Sequence, residues 1–564
     1  DRNNILTMNL PQRHRQETER LIKELTSTTD GKKKVADWIL EEGYYPEPYV
    51  LPPCFKISDF ELQQEKFEKK GYTDKNWQSE KLATISFPKT GLIQRVFGII
   101  HPHRYHDIVW ELINDWDKLL SILFNPDNEI YSYSFPIALT INKQGKLRSG
   151  RMIYEFLEMA EKDLVAEAYK YKQLTKIDIT NFYNSVYTHT IAWAWCGDRY
   201  KALADSNFSY TGSRIDKLIQ YSNDKRTNGI PVGPVLSDLI VEIILSERDI
   251  FITQKIKEIG IDFLATRFKD DYRILCNSQE ESDIIIRIII DALNEYNLQV
   301  NETKTKTVSL PEGLYRPHSI KYDIFSLRRI PTEKIPFKKF EYTLLKALEI
   351  HREHSGTSLL EKFLGELIDN NKEKAIKERL LVEFANPNIP DDAHNYSKVK
   401  KKNIMKTISL LMLLKNESSK SLGKVLAIIE CLILDEDNKW LLDESYLLDV
   451  FLIEIEKSIL KNSSFELSWY LYFCYRHNIE FDLLRLLKRL KKEGKISCNP
   501  SELEILKNPF IATLRNKFPG KPEGCQNPFG DKKINIEMFK NPEQLKDVFL
   551  INYLDVFDRA EPEN

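Results

Sequence analysis

Glycine is scarce in this chain. Its 564 residues include only 20 glycines, about half the usual share of roughly 7%, which disfavours a turn-rich all-β protein and favours helices. Long hydrophobic runs are also missing. The longest largely apolar stretch, Val425 to Leu434, is about ten residues, whereas a membrane span needs about 20, so no transmembrane helix and no membrane partner are expected. The opening residues DRNNILTMNLPQRHRQ contain no apolar signal core, and no export signal is expected. Neither sign of charge dominates: 82 basic residues stand against 84 acidic ones, a net of −2. That excludes a strongly basic nucleic-acid coat but leaves room for a local basic channel. The seven cysteines are an odd set without a CxxC pair, which argues against a disulfide scaffold and a structural zinc site and for a reducing, cytoplasmic setting.

Hydrophobic residues make up 42% of the chain, enough to bury several cores, and the length suggests about three or four structural units. Residues 1–80 are polar and helical, punctuated by EGYYPEPYVLPP. Residues 81–165 mix extended and helical pieces, and 166–335 alternate β-like runs with helices, which predicts an α+β region. From 336 to about 500 the pattern becomes helical. Ile404, Ile408, Leu411 and Met412 share one face, as do Leu422, Val425, Leu426, Ile429 and Ile433, and then Leu448, Leu452, Ile455 and Ile459. A loop is expected at 384–397, and residues 501–564 are expected to pack on the helical layer as a tail.

Four elements in the central region carry chemistry. In LTKIDITNFYNSVYTH, Leu174 and Ile177 predict a short buried strand with Asp178 near its end, where an acid can project into a cleft. In NGIPVGPVLSDLIVEIIL, Gly229 and Gly233 bracket Pro231, and Pro234 suits a first helical position; glycines there allow close approach to the backbone. In FLATRFKDDYRILC, two apolar runs flank Lys269-Asp270-Asp271, which predicts a β-hairpin with adjacent acids at its turn. In NLQVNETKTKT, Asn301, Lys304 and Thr305 follow a helix ending near Asn297. Taken singly, these are a capping acid, a tight turn, an exposed turn and a solvated lysine. If Asp178 joins Asp270 and Asp271, three carboxylates repel one another and are best held by divalent cations, and two such ions serve in-line phosphoryl transfer.

The order of the four elements, with Asp178, Gly229, Asp270 and Lys304 separated by 51, 41 and 34 residues, resembles motifs A to D of the reverse-transcriptase palm. Asp178 and Tyr183 match motif A. Gly229, Pro231, Gly233 and Ser237 match motif B, Phe268, Asp270 and Asp271 match motif C, and Asn301, Lys304 and Thr305 match motif D. Upstream, SFPKTGLIQRVFGI resembles the fingers motif, with Lys89 and Arg95 at the places that hold an incoming triphosphate. The resemblance implies a fingers–palm fold over roughly 85–310. It also implies catalysis by Asp178, Asp270 and Asp271 holding two Mg²⁺ ions (Mn²⁺ as an alternative), with Lys304 acting at the leaving pyrophosphate. Nucleotide binding falls to Lys89, Arg95, Tyr183, Gly229, Pro231 and Gly233.

NFYNSVYTHTIAW together with the helical C-terminal half resembles the AbiK-like abortive-infection reverse transcriptases of bacterial antiphage defence. That family joins fingers and palm to HEAT-like helical repeats and forms homo-oligomers. It makes DNA from dNTPs, in some members without a template and attached to a protein hydroxyl, in others directed by a non-coding RNA. Val232 departs from the glutamine that many reverse transcriptases carry there, and Lys269 is an unusual cation beside the acid pair. The alternative reading is a catalytically degenerate palm that scaffolds RNA in a defence complex.

Overall fold

The structure is a computed structural model that describes residues 8–89, 93–137, 139, 147, 153–327, 334–368, 380–385, 393–435, 438, 441–515, 527–541, 545 and 549–554. Its centre is a five-stranded sheet of β3 (Ile130–Ser132), β4 (Gln173–Asp178), β5 (Leu264–Phe268), β6 (Asp271–Cys276) and β7 (Lys306–Ser309), in the order β3-β5-β6-β4-β7. Only β3 and β5 run parallel; the other neighbours are antiparallel. Successive side chains on a strand point to opposite faces, and both faces are covered. Ile177, Ala265, Tyr272 and Ile274 join the main core, whereas Leu174, Leu264 and Leu275 join a smaller cluster with Tyr131, Tyr133 and Leu164. The helices Val235–Ile259 and Gln279–Asn294 cover the first face, and Ile153–Glu167 approaches β5 from the other. A second sheet is the hairpin of β1 (Ala83–Pro88) and β2 (Gln94–Ile99).

Helix Val235–Ile259 starts one residue later than the sequence suggests. Pro234 is its N-cap, with φ −64° and ψ 145°, because a proline ring fixes φ without requiring helical ψ. A largely helical region follows the sheet, including Phe337–Glu353, Ala393–Glu417, Leu422–Leu434, Glu444–Leu460 and Ser464–Arg476. Residues 393–397, expected in a loop, open the helix Ala393–Glu417; 386–392 lie outside the described residues. In Glu444–Leu460 the buried stripe is Leu447, Phe451, Ile455 and Ile459, so Leu448 and Leu452 sit at its edge. Phe451 fixes this rotation, stacking on Phe473 at 4.9 Å and meeting Tyr470 edge-on at 6.0 Å. The aromatic helix Ser464–Arg476 is buried along nearly its whole length, and its Phe465 packs against Phe87 of β1 at 4.7 Å. The helical region therefore holds the β1–β2 hairpin from behind.

Described residues near the C-terminal side pack on the helical region and on the N-terminal segment. Short helix Leu550–Leu554 packs on Leu422–Leu434, while residues 527–541 return to the N-terminal segment. There Lys540 N–H donates to the Cys54 carbonyl at 2.8 Å, and the Tyr45 hydroxyl donates to the Met538 carbonyl at 2.8 Å. The N-terminal helix Leu10–Leu25 reaches the sheet through His14, which stacks on Tyr133 with ring centroids 4.2 Å apart. Burial pushes the His14 imidazole down to about 4, whereas the unfolded chain titrates near 6.5. Between these values the unfolded state binds more protons, so stability is full above pH 6.5 and declines as pH falls toward 4. His14→Phe keeps the stack and removes the proton; its melting temperature is expected to drop less than that of the wild type between pH 7 and 5. Equal drops in both proteins would discount this contact.

Candidate active site

Backbone pairing assembles the site. In the antiparallel pair β4–β6, Asp178 stands directly opposite Asp271, and the Ile179 N–H donates to the Asp270 carbonyl at 3.2 Å. β5 and β6 are joined by the two-residue turn Lys269-Asp270, with Phe268 opposite Asp271. Lys269 has φ +52°, a left-handed conformation costly for a residue with a side chain. The turn is held in it at several points: the Lys269 N–H donates to Ser134 Oγ, its carbonyl accepts from Arg267 Nη1 at 3.2 Å, and its Nζ lies 3.3 Å from both carboxylate oxygens of Asp238. Three sequence-predicted acids therefore meet at one end of the adjacent interior strands β4 and β6. Like charges directly opposite each other destabilise a sheet, which points to an arrangement retained for chemistry.

The electrostatics follow. Burial, then the neighbouring Asp178, raises the Asp270 carboxyl above the usual range. Asp271 has an exposed outer side, yet loss of solvent on its inner side, the charges of Asp270 and Asp178 and a hydrogen bond with Asp178 push it up to about 7. Asp178 is buried, and the Lys304 ammonium caps it, 3.0 and 2.9 Å from its two oxygens, while Asn301 Nδ2 donates to it at 3.3 Å. Among the described residues no group of three or more acidic, histidine or cysteine side chains is arranged to hold a metal ion, and Lys304 supplies the cation at Asp178. The donor set nevertheless fits a hard divalent ion: carboxylate oxygens crowded enough that one of them retains a proton near neutrality.

The remaining predicted residues fall around this end of the sheet. Lys89 directly follows β1, its N–H donating to the Ile93 carbonyl at 2.8 Å, and Arg95 sits on β2 opposite Phe87; both side chains are exposed. Arg95 is close enough to Asp270 to offset part of its charge. Tyr183, on the short helix Phe182–Ser185, donates its hydroxyl to Asp238 Oδ1 at 2.5 Å. Burial and that carboxylate hold the hydroxyl protonated, well above the ordinary tyrosine range.

Gly229 and Gly233 have φ +84° and +126°. A side chain at Gly229 would begin 3.2 Å from the Asn184 carbonyl oxygen, and one at Gly233 would begin 3.0 Å from the Phe97 ring and 3.1 Å from Pro46. Their close neighbours are thus protein, and they seat the 229–234 segment between the Tyr183 turn and the β1–β2 hairpin. The buried Pro231 lies between them. His189 is a structural partner, its Nδ1 2.6 Å from Asp216, which raises its pKa.

Three participants escaped the sequence reasoning. Asp238 lies in the first turn of the helix Val235–Ile259, where an acid is ordinary dipole complementation. Arg267 is fully buried within β5, with Asp249 and Glu242 around its guanidinium. Lys420 comes from the helical region, more than 300 residues away in sequence. Its turn Ser419–Ser421 touches β1, and burial together with the charges of Arg95 and Lys89 lowers its ammonium. Only Asp238 offered a signal, as the residue following Ser237.

Residues 132–343 match the family described as Reverse transcriptase (RNA-dependent DNA polymerase). No curated protein matches the chain. Among solved structures, apo telomerase from Candida tropicalis truncated from its C-terminal domain is 14% identical with a TM-score of 0.28, over 42% of this chain and 51% of that one. The chain thus spans about half the length of that relative. Apo telomerase from Candida tropicalis is 14% identical with a TM-score of 0.31, covering 77% of this chain and 69% of that one. Telomerase from Candida albicans with a TWJ fragment of telomeric RNA is 11% identical with a TM-score of 0.28, covering 65% and 66%. The residues that match this family overlap the central mixed α/β region, and a largely helical region follows it. No described helix is long and apolar enough to cross a membrane.

Proposed function

We propose that this protein is a divalent-metal-dependent DNA polymerase of the reverse-transcriptase type, belonging to the AbiK-like group of bacterial antiphage defence. The observation that carries the polymerase reading is the pairing of Asp178 with Asp271 beside Asp270, in a region that matches the reverse-transcriptase family. The assignment to defence rests on the sequence resemblance over NFYNSVYTHTIAW and the helical half. Under this reading residues 81–165 are fingers, 166–335 the palm, 336–500 a HEAT-like helical layer and 501–564 its tail, in a cytoplasmic homo-oligomer that releases or carries a DNA product.

Asp178, Asp270 and Asp271 would hold Mg²⁺, which supplies charge neutralisation of the triphosphate and a more acidic attacking hydroxyl when bound. The chain's own residues do the rest. Lys89 and Arg95 present cations at the hairpin for the β- and γ-phosphates. Lys304, whose ammonium lies 2.9 Å from Asp178, would offset charge on the departing pyrophosphate. Tyr183 stands beside the acids as a wall against a ribose 2′-hydroxyl, so that ribonucleotides are excluded by clash.

The test is incubation of purified protein with labelled dNTPs and Mg²⁺, with and without an added RNA template. A high-molecular-weight labelled product is expected, and its retention on the protein after denaturation would mark covalent attachment. Tight RNA binding with no incorporation under any metal would overturn the polymerase and leave the scaffold.

A further inference from the structure

We propose that Asp238 is a positioning residue that locks the Tyr183 ring as a rigid wall and thereby sets the preference for deoxyribonucleotides; this deepens the polymerase reading and rests on it. Three observations on separate elements converge. The Tyr183 hydroxyl donates to Asp238 Oδ1 at 2.5 Å. Asp238 is only 4% exposed and sits on the first turn of a 25-residue helix, the end whose dipole favours a negative charge. Lys269, in the turn that carries the catalytic acids, places its Nζ 3.3 Å from both Asp238 oxygens. One buried carboxylate therefore ties the gate ring to the acid hairpin.

The physical consequence concerns the ring's freedom. Without the bond to Asp238, a tyrosine ring packed beside Phe182, 5.3 Å away, can shift about its side-chain torsions and yield to a 2′-hydroxyl. A hydrogen bond at the far end, to a charged acceptor, fixes both torsions, and bonds of this kind are about twice as strong as neutral ones. Discrimination by clash works only when the obstructing group cannot move away. The Lys269 contact holds the acceptor in place, and explains a use for the unusual cation beside the acid pair.

The experiment compares full-length wild type, Asp238→Ala, Asp238→Asn and Tyr183→Phe, each with a melting curve. The first readout is the ratio of kcat/KM for dTTP over UTP with Mg²⁺. Asp238→Ala and Tyr183→Phe are each expected to lower this ratio about tenfold, mainly through a lower KM for UTP. Asp238→Asn keeps an acceptor oxygen and is expected to stay within about threefold of wild type. An unchanged ratio in a folded Asp238→Ala protein overturns the proposal, and so does Tyr183→Phe that discriminates as well as wild type. If Asp238→Ala fails to fold, Tyr183→Phe still decides. The second readout is the thermal stabilisation given by dTTP or UTP with Mg²⁺. A wild type that incorporates neither nucleotide sinks the polymerase reading by itself. Asp238 keeps its role in that case only if wild type is stabilised more by dTTP than by UTP and Asp238→Ala loses the difference; equal stabilisation in wild type, or an undiminished difference in the variant, overturns it.

Discussion

Alanine at Asp178, Asp270 or Asp271 is expected to cut nucleotide incorporation by about a thousandfold or more, roughly 4 kcal/mol of barrier, while leaving the fold intact. The three act as one unit: Asp178 and Asp271 are opposite partners across β4–β6, and Asp270 is next to one and charge-coupled to the other. Under the proposed function, losing any of them would remove a metal ligand that the other two cannot replace. Stability should move the other way. Carboxylates crowded in this manner oppose folding in metal-free protein, so Asp271→Asn, which keeps the shape and removes one charge, is expected to melt at or above the wild-type temperature without Mg²⁺ while losing synthesis. Sites built for chemistry commonly trade stability for activity in this way. The measurements are steady-state dNTP incorporation and a metal-free melting curve on the same preparations. Near-normal incorporation by Asp178→Ala would remove the basis of the functional assignment.

How much of this was legible beforehand differs by residue, for physical reasons. The strand ending at Asp178 and the hairpin around Asp270 and Asp271 were visible because short apolar runs between turn residues have few other solutions. The resemblance of the four elements to the reverse-transcriptase motifs then implied that the acids come together. The contacts of those acids were less visible. Lys304 stood out beside Asn301 and Thr305 as a residue for the leaving pyrophosphate, but nothing local says that it folds back 126 residues to hold Asp178. Lys420 reaches Lys89 and Arg95 only because Phe465 seats the helical region behind β1. The three-residue β3 is too short to leave a periodic signal. One residue of rotation separated the expected from the observed stripe on Glu444–Leu460, since Leu447, Leu448, Phe451 and Leu452 are all apolar and only packing against Phe473 chooses among them. The return of residues 527–541 to the N-terminal segment runs through backbone groups such as the Cys54 carbonyl, which every residue possesses.

Arg267 would be expected on any strand to point its charge to water, yet it is fully buried and its replacement should be the most destabilising single change near the site. Its Nε donates to Asp249 at 2.8 Å, its terminal nitrogens donate to Glu242 at 2.8 and 3.2 Å, and Nη1 also holds the Lys269 carbonyl. Ser132 also donates to Glu242 Oε2, at 2.7 Å, and the Tyr272 hydroxyl donates to the other Asp249 oxygen, at 2.8 Å. Removing the guanidinium strands two buried carboxylates facing each other, and breaking a buried pair from one side costs about 3–5 kcal/mol. Arg267→Ala is therefore expected to lower the apparent melting temperature by several degrees and to weaken synthesis indirectly, since the Lys269 turn loses a donor. Replacing all three partners together (Arg267→Met, Glu242→Leu, Asp249→Leu) should restore much of the stability, because no charge is then left unpaired. The pH dependence gives an independent check. Burial already pushes Asp249 up to about 6 against an ordinary value of 3.8, so the native state binds more protons than the unfolded state across that window, and its contribution to stability falls as pH rises through it. Without Arg267 the carboxyl loses its main counter-charge and holds its proton more strongly still. The deficit of Arg267→Ala should consequently be smaller at pH 5, where Asp249 is neutral, than at pH 8. A deficit independent of pH would mean that lost packing, and not stranded charge, is what the substitution exposes.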